Sequence, residues 1–120
     1  MKAMWKYKYH APPPTLRVFY HGEPVAELEQ FRQGYIFRYL PRFRELSLSP
    51  FPGLPPGKGD VPFEQLPAFF QERLPDMRRP EIQELIRTLG IQKDNQLELL
   101  AQLGAHTITD PFELRLAAGV

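Results

Sequence analysis

The chain is 120 residues long, 42% hydrophobic, free of cysteine and close to neutral, with a net charge of +1. That length suits one domain with a core of its own, and the missing thiols exclude disulfides and thiolate metal sites. No apolar run approaches the roughly 20 residues of a membrane span, and the opening MKAMWKYKYH lacks the apolar stretch of a secretory signal, so the chain reads as a soluble cytoplasmic protein.

Residues 1–14 read as an N-terminal extension, mobile relative to a single domain over 15–120. Trp5, Tyr7 and Tyr9 alternate there with Lys6 and Lys8, and Pro12 to Pro14 break any continuing strand. Thr15 to Tyr20 alternates as a strand, His21-Gly22-Glu23-Pro24 carries turn chemistry, and Val25 to Glu29 returns, which makes a hairpin. After Gln33-Gly34, Tyr35 to Leu40 forms a third strand with Tyr35, Phe37 and Tyr39 on one face, and Pro41 ends it. Arg42 to Ser49 contains another short alternating piece around Leu46 and Leu48. The segment from Ser49 to Pro62 holds five prolines and three glycines and reads as a loop.

Three short helices follow. Leu66, Phe69, Phe70 and Leu74 make an apolar stripe with Pro67 in the first turn and Pro75 at the end. Ile82, Leu85, Ile86 and Leu89 make a second stripe between Pro80 and Gly90. Asn95 and Glu98 form a capping box ahead of Leu97, Leu99, Leu100 and Leu103, and Gly104 closes the third helix. His106 to Thr109 and Phe112 to Ala117 read as terminal strands around Asp110-Pro111. The fold class expected is α+β, a small, mostly antiparallel sheet built on the N-terminal hairpin and packed with the three helices.

Charge is unevenly shared. Residues 1–60 carry nine Lys and Arg against five Asp and Glu, and residues 61–120 carry six against nine. Chemistry-bearing patterns are absent. The histidines His10, His21 and His106 have no metal-ligand spacing. Ser47 and Ser49, the only serines, sit in no nucleophile elbow, and Gly53, Gly57 and Gly59 make no phosphate loop. Neither a catalytic residue, a metal site nor a cofactor is expected, and the chain reads as a non-enzyme. Two surfaces stand out. Arg38, Tyr39, Arg42, Phe43 and Arg44 interleave aromatic and cationic side chains as a single-stranded nucleic-acid platform does. Phe69, Phe70, Leu74, Pro75, Asp76 and Arg78 make an apolar-then-polar knuckle suited to a protein partner.

The order of these features resembles a known family. A hairpin (TLRVFYHGEPVAELE) leads to a G-Y-x-F-x-Y strand (GYIFRYL), an L-S-x-S segment (LSLS), F-F-x-x-x-L-P (FFQERLP), a helix ending L-G (LIRTLG) and a leucine-rich helix ending L-G (LELLAQLG). This resembles the N-terminal subdomain of HipA-type serine/threonine kinases, over about residues 15–104. In some systems that subdomain stands alone as HipS, beside a kinase, HipT, and a DNA-binding protein, HipB. The resemblance implies a bacterial, HipS-like antitoxin or regulatory component that binds and restrains a HipT/HipA-type kinase, with a HipB-type protein in the same complex. It implies contacts through Ser47, Leu48, Ser49, Phe69, Phe70, Leu74, Asp76 and Arg78. The alternative left open is the single-stranded nucleic-acid module built on Arg38 to Arg44. A structural interaction domain in an unrelated assembly is a third reading.

Overall fold

A computed structural model describes residues 14–31, 34–57, 59–92, 95–107 and 110–117. The expected extension lies outside these except for Pro14. Strand β1 (Thr15–Tyr20) turns through His21 and Gly22 into β2 (Glu23–Phe31). Both turn residues have positive φ, 48° and 85°, which matches the twist of a two-residue hairpin. Strand β3 (Gly34–Tyr39) pairs with β2, and β4 (Val61–Phe63) pairs with β3. Strand β5 (Phe112–Leu116) returns to the other side of β1. The result is an open, five-stranded antiparallel sheet in the order β4-β3-β2-β1-β5.

The period-two pattern divides the sheet's faces as expected. Leu16, Val18, Ala26, Leu28, Phe37 and Leu114 are buried on the inner face. Arg17, Glu27, Glu29 and Arg38 occupy the outer face, where their side chains pair across strands. At Gly34 a side-chain carbon would collide with the carbonyl of Phe63, so only glycine lets the start of β3 lie so close to the end of β4.

Among the described residues, four helices cover the inner face or flank it: α1 (Pro41–Glu45), α2 (Ala68–Gln71), α3 (Pro80–Leu89) and α4 (Gln96–Leu103). Helix α1 corrects the extended reading within Arg42 to Ser49. Proline is well suited to a first helical position, and here Pro41 starts a helix as well as ending a strand. The chain leaves α1 through a C-terminal motif in which the Ser47 N–H donates to Arg44 O at 3.0 Å and the Leu48 N–H donates to Phe43 O at 3.3 Å. Helix α2 is shorter than the stripe from Leu66 to Leu74 suggests. Pro67 is its N-cap, and the chain unwinds after Gln71 through i→i+3 turns at Arg73 and Leu74.

Helix α3 begins at Pro80 and stops at Gly90, which is left-handed at φ 72°. Helix α4 is capped by the Asn95 side chain, which accepts from the Glu98 N–H at 3.3 Å; its amide in turn donates to the Glu98 carboxylate at 3.1 Å. The expected strand at His106 to Thr109 is not formed at His106 and Thr107, and Ile108 and Thr109 lie outside the described residues.

The main core joins the sheet to Phe70, Leu97 and Leu100, and it includes Phe51 and Leu54 from the proline-rich loop. A second cluster of Ile86, Ile91 and Leu99 holds α3, with Leu74, Met77, Ile82 and Leu103 packed around it. The stripe on α3 is therefore only partly covered: Ile86 is buried, while Leu85 and Leu89 are 40% and 45% exposed.

Candidate partner-binding surface

The proline-rich loop is fastened by one tyrosine. The Tyr39 hydroxyl accepts from the Phe51 N–H at 2.9 Å and donates to the carbonyl of Leu54. Its ring stacks on Phe43 with centroids 4.0 Å apart, and Phe51 in turn stacks on Phe69 at 4.2 Å and 7°. Burial of the phenol pushes the Tyr39 pKa up. This aromatic run links the Leu-Ser-Leu-Ser segment to the knuckle, because Phe51 follows Ser49 by two residues.

Within that joined region the expected contact residues divide by exposure. Ser47 and Ser49 are exposed, and Leu48 is half-buried against the main core. Ser47 holds φ 57°, a left-handed conformation unusual for a residue with a Cβ. Phe69 and Phe70 are 8% and 0% exposed, so their rings are core and are not displayed to a partner. Leu74 is half-buried at the junction of the two clusters. Asp76 and Arg78 are exposed and paired with each other: the Arg78 N–H and Nε both donate to Asp76 Oδ1, at 3.0 and 3.1 Å. Those hydrogen bonds hold the Asp76 carboxyl below the usual carboxylate range.

The aromatic and cationic set is not brought together as one platform. Tyr39 and Phe43 turn into the core side, and Phe43 is buried. Arg38 lies on the opposite face of the sheet. It donates to Asp60 at 2.9 and 3.1 Å, to Glu27 at 3.0 Å and to Glu29 at 3.0 Å. Arg42 donates to Glu23 and Glu45, and Arg44 is exposed on α1. The carboxylates of Glu27, Glu29 and Asp60 neutralise Arg38 where a phosphate would have to bind. No base can stack on Tyr39 or Phe43 without opening the aromatic run.

Sequence reasoning missed Arg73, which organises the back of the knuckle. Its side chain is 4% exposed. It donates to Gly104 O at 3.1 Å, Phe112 O at 2.6 Å and both Asp110 oxygens at 3.1 and 2.8 Å. A Cβ at position 104 would lie 2.7 Å from Arg73 O. Gly104 is therefore required for close approach, since its φ of −124° is not left-handed. Nothing in the local pattern marks Arg73, because its partners are 31 to 39 residues away in sequence.

Beside the knuckle a groove opens between β4 and the start of α4. Leu66, Leu74 and Met77 line it with Tyr35, Glu64 and Gln96. The Tyr35 hydroxyl donates to Gln96 Oε1 at 3.2 Å, and burial pushes its pKa up. Among the described residues, no group of three or more His, Asp and Glu is placed to hold a metal ion, and no helix is long and apolar enough to cross a membrane.

Comparison with known families identifies a relationship. A family model described as the HipA N-terminal domain covers residues 16–108. No curated protein matches the chain. The matched region runs from β1 past the end of α4 and takes in both candidate contact segments. It leaves out β5, although Arg73 inside the match is bonded to Asp110 and Phe112 beyond it.

Proposed function

The chain belongs to the HipA N-terminal domain family, and from that premise we propose that it is a HipS-like partner subunit that binds and restrains a HipT- or HipA-type serine/threonine kinase. The family ties the chain to a toxin–antitoxin-related role. The match is to the N-terminal domain and not to a kinase domain. The observation that carries the reading is the continuity of that match over residues 16–108, across all four helices and four of the five strands. On this reading the protein has no chemistry of its own and acts in the cytoplasm. Inhibition comes from occupying or immobilising a surface of the kinase, with a HipB-type DNA-binding protein in the same assembly.

The exposed part of the contact set is Ser47, Ser49, Asp76 and Arg78, with Leu48 and Leu74 half-buried beside them. Phe69 and Phe70 support it from beneath. The paired Asp76 and Arg78 give the turn both a hydrogen-bond donor and an acceptor. Such a polar rim around a small apolar centre is the anatomy of a reversible protein interface.

The test is co-purification of the chain with the kinase encoded in the neighbouring reading frame, followed by an autophosphorylation assay with and without the chain. Complex formation and reduced phosphorylation are expected. Reversing the exposed pair with Asp76→Arg should weaken the complex and leave the circular dichroism spectrum unchanged. A chain that neither binds the kinase nor changes its activity ends this reading. Binding to oligonucleotides that falls steeply with salt would favour the nucleic-acid module instead.

A further inference from the structure

Two unusual residues meet at the end of α1. Ser47 is held at φ 57° in the C-terminal motif of that helix, a place that glycine fills without strain. Serine adds only a hydroxymethyl group there. Ser47 is exposed, and among the described residues nothing bonds its hydroxyl. Strain kept at an exposed position points to a functional use of the side chain. Arg44 is the second. It is exposed, and among the described residues it is the one arginine with no carboxylate partner. The Ser47 N–H donates to Arg44 O at 3.0 Å, so the two share one turn. The carboxylate between them in sequence, Glu45, is already bonded to Arg42 at 3.1 Å. The other exposed Ser and Thr side chains among the described residues, Ser49 and Thr88, have a leucine three positions before them where Ser47 has Arg44. Thr88 is also held inside α3.

We propose that Ser47 is a phosphoryl acceptor for the serine/threonine kinase that the chain binds, with Arg44 holding the transferred group. The inference rests on the proposed function for the enzyme, and on Ser47 and Arg44 for the site. Ser47 Oγ attacks the γ-phosphorus of ATP, and the bond from that phosphorus to the β–γ bridging oxygen breaks. ADP leaves, and the hydroxyl proton passes to the catalytic Asp of the kinase. The phosphoserine carries roughly −1.5 to −2 charge near neutral pH and three acceptor oxygens. A guanidinium can meet two of these with parallel N–H donors. Restraint of the kinase then comes from competition, because while Ser47 fills the acceptor position no other hydroxyl can.

The test incubates the full chain with ATP and the kinase encoded in the neighbouring reading frame. Intact mass reads the transfer, peptide fragmentation reads its position, and size-exclusion chromatography of the same mixture reads the complex. One phosphoryl group at Ser47 is expected. Ser47→Gly should abolish it, and glycine suits that backbone, so the loss is not one of folding. Arg44→Gln should slow transfer about tenfold, the worth of one hydrogen bond to a charged group. A second measurement needs no kinase. With phosphoserine placed at position 47 during translation, phosphorus NMR should show the phosphate losing its last proton at lower pH in the parent than in Arg44→Gln. A complex without transfer to Ser47 overturns this inference and leaves the proposed function standing. Neither complex nor transfer, with a kinase active on itself, overturns both. Transfer confined to Ser49 or Thr88, or equal phosphate titrations with and without Arg44, overturns the site.

Discussion

Ser47 and His21 are the two non-glycine residues at positive φ among those described. Ser47 stands where the C-terminal motif of α1 prefers glycine. A left-handed residue with a Cβ costs about 1–2 kcal/mol, and glycine's extra freedom in the unfolded chain returns about 0.5–1 kcal/mol of that. Ser47→Gly should therefore stabilise the protein by roughly 0.5 kcal/mol, seen as a small rise in the urea midpoint at constant slope. On the proposed function, a loss of kinase binding in the same variant would separate the display of the serine from the stability of the turn. Arg73 is the opposite case, a buried cation with every partner in place. Arg73→Ala removes the partner of Asp110 and of the Gly104, Ala105 and Phe112 carbonyls and should cost about 3–5 kcal/mol. Arg73→Lys should recover little of it, because one ammonium cannot reproduce the guanidinium fork. The urea midpoint of both variants checks this.

At the level of elements, α2 is a single turn whose value lies in Phe70. That ring is fully buried and meets Phe37 edge to face at 6.1 Å. Phe70→Ala should destabilise the fold by about 3–5 kcal/mol, measurable by urea unfolding. The alternation of β1 to β3 and the bounds of α3 and α4 were legible in the chain because strand period, Pro80, Gly90 and Asn95 act locally. Helix α1 was not, because Leu46-Ser47-Leu48-Ser49 alternates as a strand does and only the C-terminal motif at Ser47 and Leu48 resolves it. Strand β4 was hidden inside a proline-rich loop. Pro62 is admissible there because β4 is an edge strand, where a missing N–H leaves no ladder bond unmade.

Across the whole molecule, charge is organised by the sheet. Arg38 draws Glu27, Glu29 and Asp60 together on the outer face. The hydrogen bond from Arg38 holds the Asp60 carboxyl below its usual value. A carboxylate depressed in the folded state stabilises the fold above its unfolded pKa. That contribution is lost as pH falls through the folded value. The parent should thus be more stable than Asp60→Asn at neutral pH, and the gap should close as pH drops below the ordinary carboxylate range. Paired urea titrations across that range test it; a gap that persists in acid would remove Asp60 from the account.

Residue order by itself determined the α+β class, the hairpin, the stops of α3 and α4 and the family resemblance. Each rests on spacing over a few neighbouring positions, where backbone geometry and burial repeat with a fixed period. Only the tertiary structure decided which aromatics are core and which are surface. Phe69 and Tyr39 look like contact residues in a line of sequence. They become structural because Phe51, supplied by a loop, stacks on one while its N–H bonds the other. The same holds for Arg73, whose place depends on carbonyls brought to it by α4 and β5. Such contacts join residues that only the folded sheet sets side by side, and no local period encodes them.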